Sequence, residues 1–208
     1  IRVQREYPAL SVRRDPAGNW IFDFGVNIAG IPRIRVSQPE GTRLRMRMGE
    51  TLKPDGSIDF STTGVAATGT VQTDEYVCAG DGAEEWSPRF TYHGFRYLEL
   101  SGAVTEPDTS WVRAVSVRSD VRPAGYFRCS DETMNRLHEM AVRTLAGNLH
   151  GLPSDCPHRE RCGWLGDAHT IAPYANFNFG MYDFWMKYLE DIRSTASSFA
   201  AGELHHKA

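Results

Sequence analysis

The chain has 208 residues, 41% of them hydrophobic, with 23 Lys and Arg against 26 Asp and Glu and a formal net charge of −3. That length and apolar content support a folded core of one large or two small domains. The near-neutral balance leaves no electrostatic footprint for nucleic acid or an anionic membrane surface, so neither is expected as a partner.

No apolar run approaches the roughly 18 residues of a membrane span, and Ile1-Arg2-Val3-Gln4-Arg5 has no apolar signal core. The cysteines Cys78, Cys129, Cys156 and Cys162 are too few and too irregularly spaced for a disulfide framework. Both observations favour the cytoplasm, with the compartment otherwise open. Cys156 and Cys162 lack a second Cys or His pair at zinc spacing, so no metal and no other cofactor is expected. His205 and His206 are assigned no role.

From Asn19 to Ser119 short apolar or alternating runs are divided by turn residues, an all-β pattern. Trp20-Ile21-Phe22-Asp23-Phe24 reads as a strand ending at Gly25, and Ile31 to Val36 as another. In Thr42 to Met48, arginines 43, 45 and 47 alternate with Leu44, Met46 and Met48, which predicts one charged and one apolar face. Such a charged face is more often solvated than polyanion-binding.

Lys53-Pro54-Asp55-Gly56 has turn chemistry, and Ser61 to Thr70, poor in large apolar residues, reads as a surface loop. Strands are predicted again at Val71 to Cys78, Arg89 to Leu100 and Trp111 to Arg118. Gly94, inside the aromatic-rich Phe90 to Leu100, indicates a bulge or a close backbone approach. His93 reads as a packed or hydrogen-bonded histidine. Around seven strands in this length suit a β-sandwich.

The pattern then becomes helical. Ser130 offers an N-cap hydroxyl before Asp131 and Glu132, and Met134, Leu137, Met140, Ala141 and Leu145 recur at helical spacing over 131 to about 147. A second helix is predicted from Ala168 to Asn178 despite Pro173, closed by Gly180. A third carries Phe184, Trp185, Tyr188, Leu189 and Ile192, with Asp183 as its cap. Their aromatic content exceeds what a solvated helical pair carries, so further protein is expected to cover it.

Between the first two helices lies Asp155-Cys156-Pro157-His158-Arg159-Glu160-Arg161-Cys162-Gly163-Trp164-Leu165-Gly166-Asp167. Gly151, Pro153 and Pro157 break the helical pattern, which places this charged cluster on a loop. On composition alone it also fits an ion-paired surface loop. Its carboxylates suit general acid work if one is held near the others, whereas Arg159 and Arg161 push the opposite way. A tryptophan among carboxylates and arginines suits a sugar, with an apolar ring face and many hydroxyls. Glycoside hydrolysis is the reaction class this mix indicates.

The same stretch, with Asp-Cys-Pro, then Arg, Glu, Arg, then Gly-Trp and Gly-Asp, resembles the active-site signature of the bacterial and fungal α-L-rhamnosidases of glycoside hydrolase family 78. The resemblance extends to Asp23-Phe24-Gly25 with Asn27 and Gly30, to Gly49-Glu50 with Pro54-Asp55-Gly56, and to Arg89 through Tyr97. It implies a β-sandwich domain over 1–122, followed by α-helices over 123–208 that begin an (α/α)6 barrel, a truncated multidomain protein.

The activity implied is inverting hydrolysis of terminal α-L-rhamnose from a rhamnose-containing oligosaccharide or glycoside, without a metal. Glu160 is implied as general acid, with Asp155, Arg159 and Asp167 on the sugar hydroxyls and Trp164 beside the ring. Departures are a single Glu160 where many relatives carry an Asp-Glu pair, and His158, Cys162 and His169 in place of the family's commoner residues. Inversion also needs a second carboxylate, which in the family lies far downstream, so the expectation is a fragment with its base outside the chain. The alternative is a non-catalytic carbohydrate-binding β-sandwich with a helical remnant.

Overall fold

A computed structural model describes residues 1–63 and 71–197. The loop predicted over Ser61 to Thr70 falls, from 64 on, outside the described residues, as do His205 and His206. By internal contacts the chain divides into a sheet unit, Val3–Val117 with Pro157–Glu160, and a helical unit, Arg118–Cys156 and from Arg161 onward, which also takes Ile1–Arg2.

The sheet unit is one curled eight-stranded sheet ordered β1-β8-β3-β7-β4-β5, with β2 and β6 also on β3. Its strands are β1 (Arg2–Pro8), β2 (Ser11–Arg14), β3 (Trp20–Val36), β4 (Arg43–Gly49), β5 (Thr73–Val77), β6 (Glu84–Trp86), β7 (His93–Ser101) and β8 (Val112–Arg118). The strands β2, β6, β7 and β8 run antiparallel to β3, and β4 runs antiparallel to β5 and β7.

Where the sequence predicts two strands parted at Gly25, the structure has the single β3. Gly25, at φ +73°, is absorbed into a register shift between Asp23 and Ile28, its N–H donating to the Asp23 carboxylate at 2.7 Å. The turn chemistry therefore makes a bulge, which bends the strand without ending it. Strand β3 pairs with β7 on both sides of the shift, with β2 before it, and from Gly30 on also with β8 and then β6.

Alternation in β4 works as predicted: Leu44, Met46 and Met48 are fully buried, in one core with Phe22, Phe95 and Leu98. One strand boundary differs clearly, and two strands are added. The strand predicted from Arg89 starts only at His93, because Phe90 takes φ +60° and is wholly exposed. The strands β1 and β2 are additions, mostly exposed along their length and so without the apolar alternation that marks a half-buried strand.

The helices are α1 (Glu132–Ala146), α2 (Leu165–Asn178) and α3 (Tyr182–Ser197). Asp131, rather than Ser130, caps α1: its backbone is extended and its carboxylate accepts from the N–H of Thr133 and Met134. The predicted stripe of α1 is buried at Leu145, while Met134, Leu137 and Met140 are about half exposed. Helix α2 begins three residues ahead of Ala168, since Ala168 already donates to the Trp164 carbonyl. Its C-cap is Phe179 rather than Gly180, and Asp183 lies inside the first turn of α3 rather than capping it. Leu149, Ala175, Phe179, Met181 and Phe184 form the helical unit's own core, while Phe177, Tyr182 and Leu189 stay exposed. Among the described residues no helix is long and apolar enough to cross a membrane.

Candidate active site

The charged stretch is shared between the units: Asp155, Trp164 and Asp167 belong to the helical unit, Arg159 and Glu160 to the sheet unit. In the helical unit, Asp155 closes a loop on itself. Its N–H donates to the Cys162 carbonyl at 3.0 Å, and its Oδ1 accepts from the Cys162 N–H at 2.8 Å. The thiol of Cys156 points to its Oδ2 at 3.3 Å. Two backbone groups of Cys162 are thereby satisfied by one residue, which fixes where the chain leaves and returns. The return is sharp, with Arg161 at φ +55°, a conformation that non-glycine residues adopt at a cost and that concentrates at functional turns.

Trp164 and Asp167 share the start of α2. Trp164 is its N-cap, extended at φ −68° and ψ 127°, and Asp167 lies in the first turn. The sequence places Asp167 on the loop; the structure places it on the helix, where an acidic side chain complements the unpaired N–H groups of the helix start. Just upstream, the Gly163 carbonyl accepts from the Tyr188 hydroxyl of α3 at 3.3 Å. Tyr188 is buried, and burial, ahead of the nearby Asp191 and Asp167 charges, pushes its hydroxyl pKa up. The sequence reading takes Tyr188 as helix-face packing only, since a backbone acceptor across two elements leaves no spacing signal.

In the sheet unit, Arg159 and Glu160 are brought together: Arg159 Nη2 donates to Glu160 Oε1 at 3.0 Å. The Arg159 side chain is 43% exposed and that of Glu160 is 22% exposed, so the guanidinium is the more open of the two to a ligand. On the same turn, His158 Nε2 stands 3.4 Å from Glu50 Oε2, and the other Glu50 oxygen accepts from Asn27 Nδ2 at 2.7 Å. Asn27 and Glu50 fall in segments that carry the resemblance, but nothing in sequence separation links either to position 158. Among the described residues no group of three or more His, Cys, Asp or Glu side chains is placed to share a cation.

The sheet unit also has a cleft of about 480 Å³ far along β3, lined among others by Glu6, Arg33, Arg35, Glu85, Trp111 and Arg113. Arg33 is hydrogen-bonded to Glu6.

Residues 13–118 match the family of the bacterial alpha-L-rhamnosidase concanavalin-like domain, and residues 122–204 that of the bacterial alpha-L-rhamnosidase 6 hairpin glycosidase domain. An alpha-L-rhamnosidase of Formosa agariphila is 45% identical over 195 residues, 93% of this chain and 20% of that protein. One of Streptomyces avermitilis is 36% identical over 202 residues, 97% of this chain and 19% of that protein.

Among solved structures, the alpha-L-rhamnosidase of Dictyoglumus thermophilum superposes with a TM-score of 0.91 at 36% identity, over 99% of this chain and 23% of that one. The Streptomyces avermitilis alpha-L-rhamnosidase complexed with L-rhamnose gives 0.91 at 35%, over 100% of this chain and 20% of that one. The chain thus spans about a fifth of the length of the curated relatives it matches.

Proposed function

The chain belongs to the bacterial α-L-rhamnosidase family, and on that premise we propose that it is the acid-bearing part of an inverting α-L-rhamnosidase acting on terminal α-L-rhamnosyl residues of glycosides. Residues 1–122 are the sandwich ahead of the catalytic domain, and residues 123–208 open its (α/α)6 barrel. The observation that carries the reading is that both family segments occur in one chain and in that order, with the charged stretch inside the second.

Glu160 protonates the departing glycosidic oxygen. Asp155, Arg159 and Asp167 hydrogen-bond the rhamnose hydroxyls, and Trp164 packs beside the ring, whose methyl strands no polar group against an apolar wall. The Arg159–Glu160 contact sets the proton donor beside a group that binds the sugar hydroxyls. The second carboxylate, which activates water across the ring, comes from sequence beyond these residues.

The test is hydrolysis of an alkyl α-L-rhamnoside by the complete protein that carries this segment. Glu160→Gln is expected to lower kcat by about 10²- to 10⁴-fold, the usual worth of a positioned acid, and proton NMR of the first product should show the inverted anomer. Wild-type rates from Glu160→Gln refute the assignment. The 208-residue chain alone is expected to turn over little or nothing; hydrolysis by it, abolished by Glu160→Gln, refutes the missing-base reading.

A second reading, sugar binding by the sandwich alone, is favoured by one observation, the cleft that sets Trp111 among Arg33, Arg35 and Arg113. Calorimetric titration of L-rhamnose separates the two: binding lost in Trp164→Ala supports the charged stretch, and binding lost only in Trp111→Ala supports the cleft.

A further inference from the structure

We propose that the sheet unit contains a built seat for the acid-bearing turn Pro157–Glu160, and that Glu50 is the positioning residue of that seat. The proposal rests on Glu160 being the proton donor and adds what holds it in place.

The seat begins with Gln72, a buried side chain on a residue at φ +48°. Its Oε1 accepts from the Gly94 N–H at 2.7 Å, and its Nε2 donates to the Gly94 carbonyl at 2.9 Å and reaches the Met48 carbonyl at 3.2 Å. One side-chain amide satisfies both backbone groups of Gly94, so β7, which pairs with β3 here at Ala29, is pinned by a side chain as well. Beside it His93 Nε2 lies 2.9 Å from Asp74 Oδ2, tying β7 to β5 one residue away.

The pinned glycine is where the turn lands. A Cβ on Gly94 would stand 2.7 Å from Pro157 Cγ and 2.8 Å from His158 Cβ. Glycine is required here for space, because the turn occupies the volume that any side chain needs.

Glu50 supplies the direction. It follows β4, and one of its oxygens is held by Asn27 in the β3 bulge at 2.7 Å, while the other faces His158 Nε2 at 3.4 Å. The His158 and Glu50 side chains are 17% and 22% exposed, so the contact is largely sheltered from competing water. The other ring nitrogen of His158 is buried and without a partner, so Glu50 is the polar contact that orients this ring. Arg159 and Glu160 follow directly. Residues from β3, β4 and β7 thus converge on the turn, and they lie in the segments Asn27, Gly49-Glu50 and His93-Gly94 that carry the resemblance without a catalytic role.

The experiment uses the complete protein and two rhamnosides, one with an alkyl leaving group that needs a proton and one with a dinitrophenyl group that departs without it. Glu50→Ala is expected to lower kcat on the alkyl rhamnoside about 10- to 100-fold, the scale of a displacement near 1 Å at a reacting group, and on the dinitrophenyl rhamnoside less than about threefold. Glu50→Gln, which keeps an oxygen for Asn27 but turns an amide NH2 toward His158, should restore part of the loss. Gly94→Ala should repeat the selective loss while deleting no polar contact. Equal losses on both substrates, or none, overturn the proposal.

Hydrogen–deuterium exchange supplies an arm independent of activity: exchange over 155–162 should rise in Glu50→Ala and Gly94→Ala while β4 and β7 stay protected, and unchanged exchange overturns the seat. A wild-type protein that cleaves neither rhamnoside refutes the functional reading alone, and the exchange arm then decides the seat.

Discussion

Asp155 is expected to act first on the chain itself, and its substitution separates that role from one on the sugar. Its carboxylate holds the Cys162 N–H at 2.8 Å and its own N–H holds the Cys162 carbonyl at 3.0 Å. Asp155→Ala deletes the first bond and leaves the second. A hydrogen bond to a charged acceptor is worth about 1.5–3 kcal/mol net, and the lower part of that range applies at a half-buried loop. A loss of about 2 kcal/mol is a factor of about 30 in the equilibrium between closed and open loop. Asp155→Asn keeps an amide oxygen in the same place but without its charge, so a loss of about 1 kcal/mol, or about fivefold, is expected.

The assay is protection of the Cys162 amide against hydrogen exchange, alongside kcat/KM of the complete protein on an alkyl rhamnoside. Protection should fall about 30-fold in Asp155→Ala and about fivefold in Asp155→Asn, since local opening sets the exchange rate. Protection in Asp155→Ala equal to that of the wild type refutes the closure. A loss of activity in Asp155→Asn that far exceeds its loss of protection assigns the remainder to contact with the sugar.

Two further outcomes test the sheet unit. Arg96 grips both carboxylate oxygens of Asp23 at 2.9 Å, and this contact, against some burial, holds the Asp23 carboxyl below its ordinary value. A carboxyl depressed in the folded state contributes stability that is complete above its unfolded value, near pH 4, and is lost as the pH falls through the folded value. Asp23→Asn should therefore melt about 2–4 °C lower at pH 7, from a loss of about 1 kcal/mol. The gap should close as the pH falls below about 4, and a gap that persists unchanged at pH 2 refutes the linkage. In Gly30→Ala the new Cβ would meet the Val115 carbonyl oxygen at 2.1 Å, where β3 pairs with His93 on one side and Ser116 on the other. The clash is with backbone and no rotamer relieves it, so urea unfolding should show a loss of about 2–3 kcal/mol; a loss under about 0.5 kcal/mol refutes the tight pairing at Gly30.

What could be read in advance followed from how local the governing interaction is. The alternation of β4 is legible because burial of Leu44, Met46 and Met48 on one face is written with a period of two. The helices are legible from apolar spacing, but their ends are not, because Asp131, with its carboxylate on two N–H groups, competes with the adjacent Ser130 and only the backbone conformation decides. The strand β3 is misread as two because Gly25 carries the same signal whether the chain turns away or bulges on, and the choice is made by β7 alongside it.

The charged stretch shows the same division. Its residue types point to sugar chemistry, yet its geometry depends on pairings no spacing encodes: Asp155 with Cys162, Tyr188 with Gly163, Glu50 with His158. Gly94 marks the limit most clearly. As a glycine inside an aromatic strand it announces that a backbone or a bulge is close, and the close approach is what the structure has. What approaches is the turn bearing Arg159 and Glu160, a partner set by tertiary contact alone. A missing side chain can therefore be read as a requirement for space long before the element that fills the space can be named.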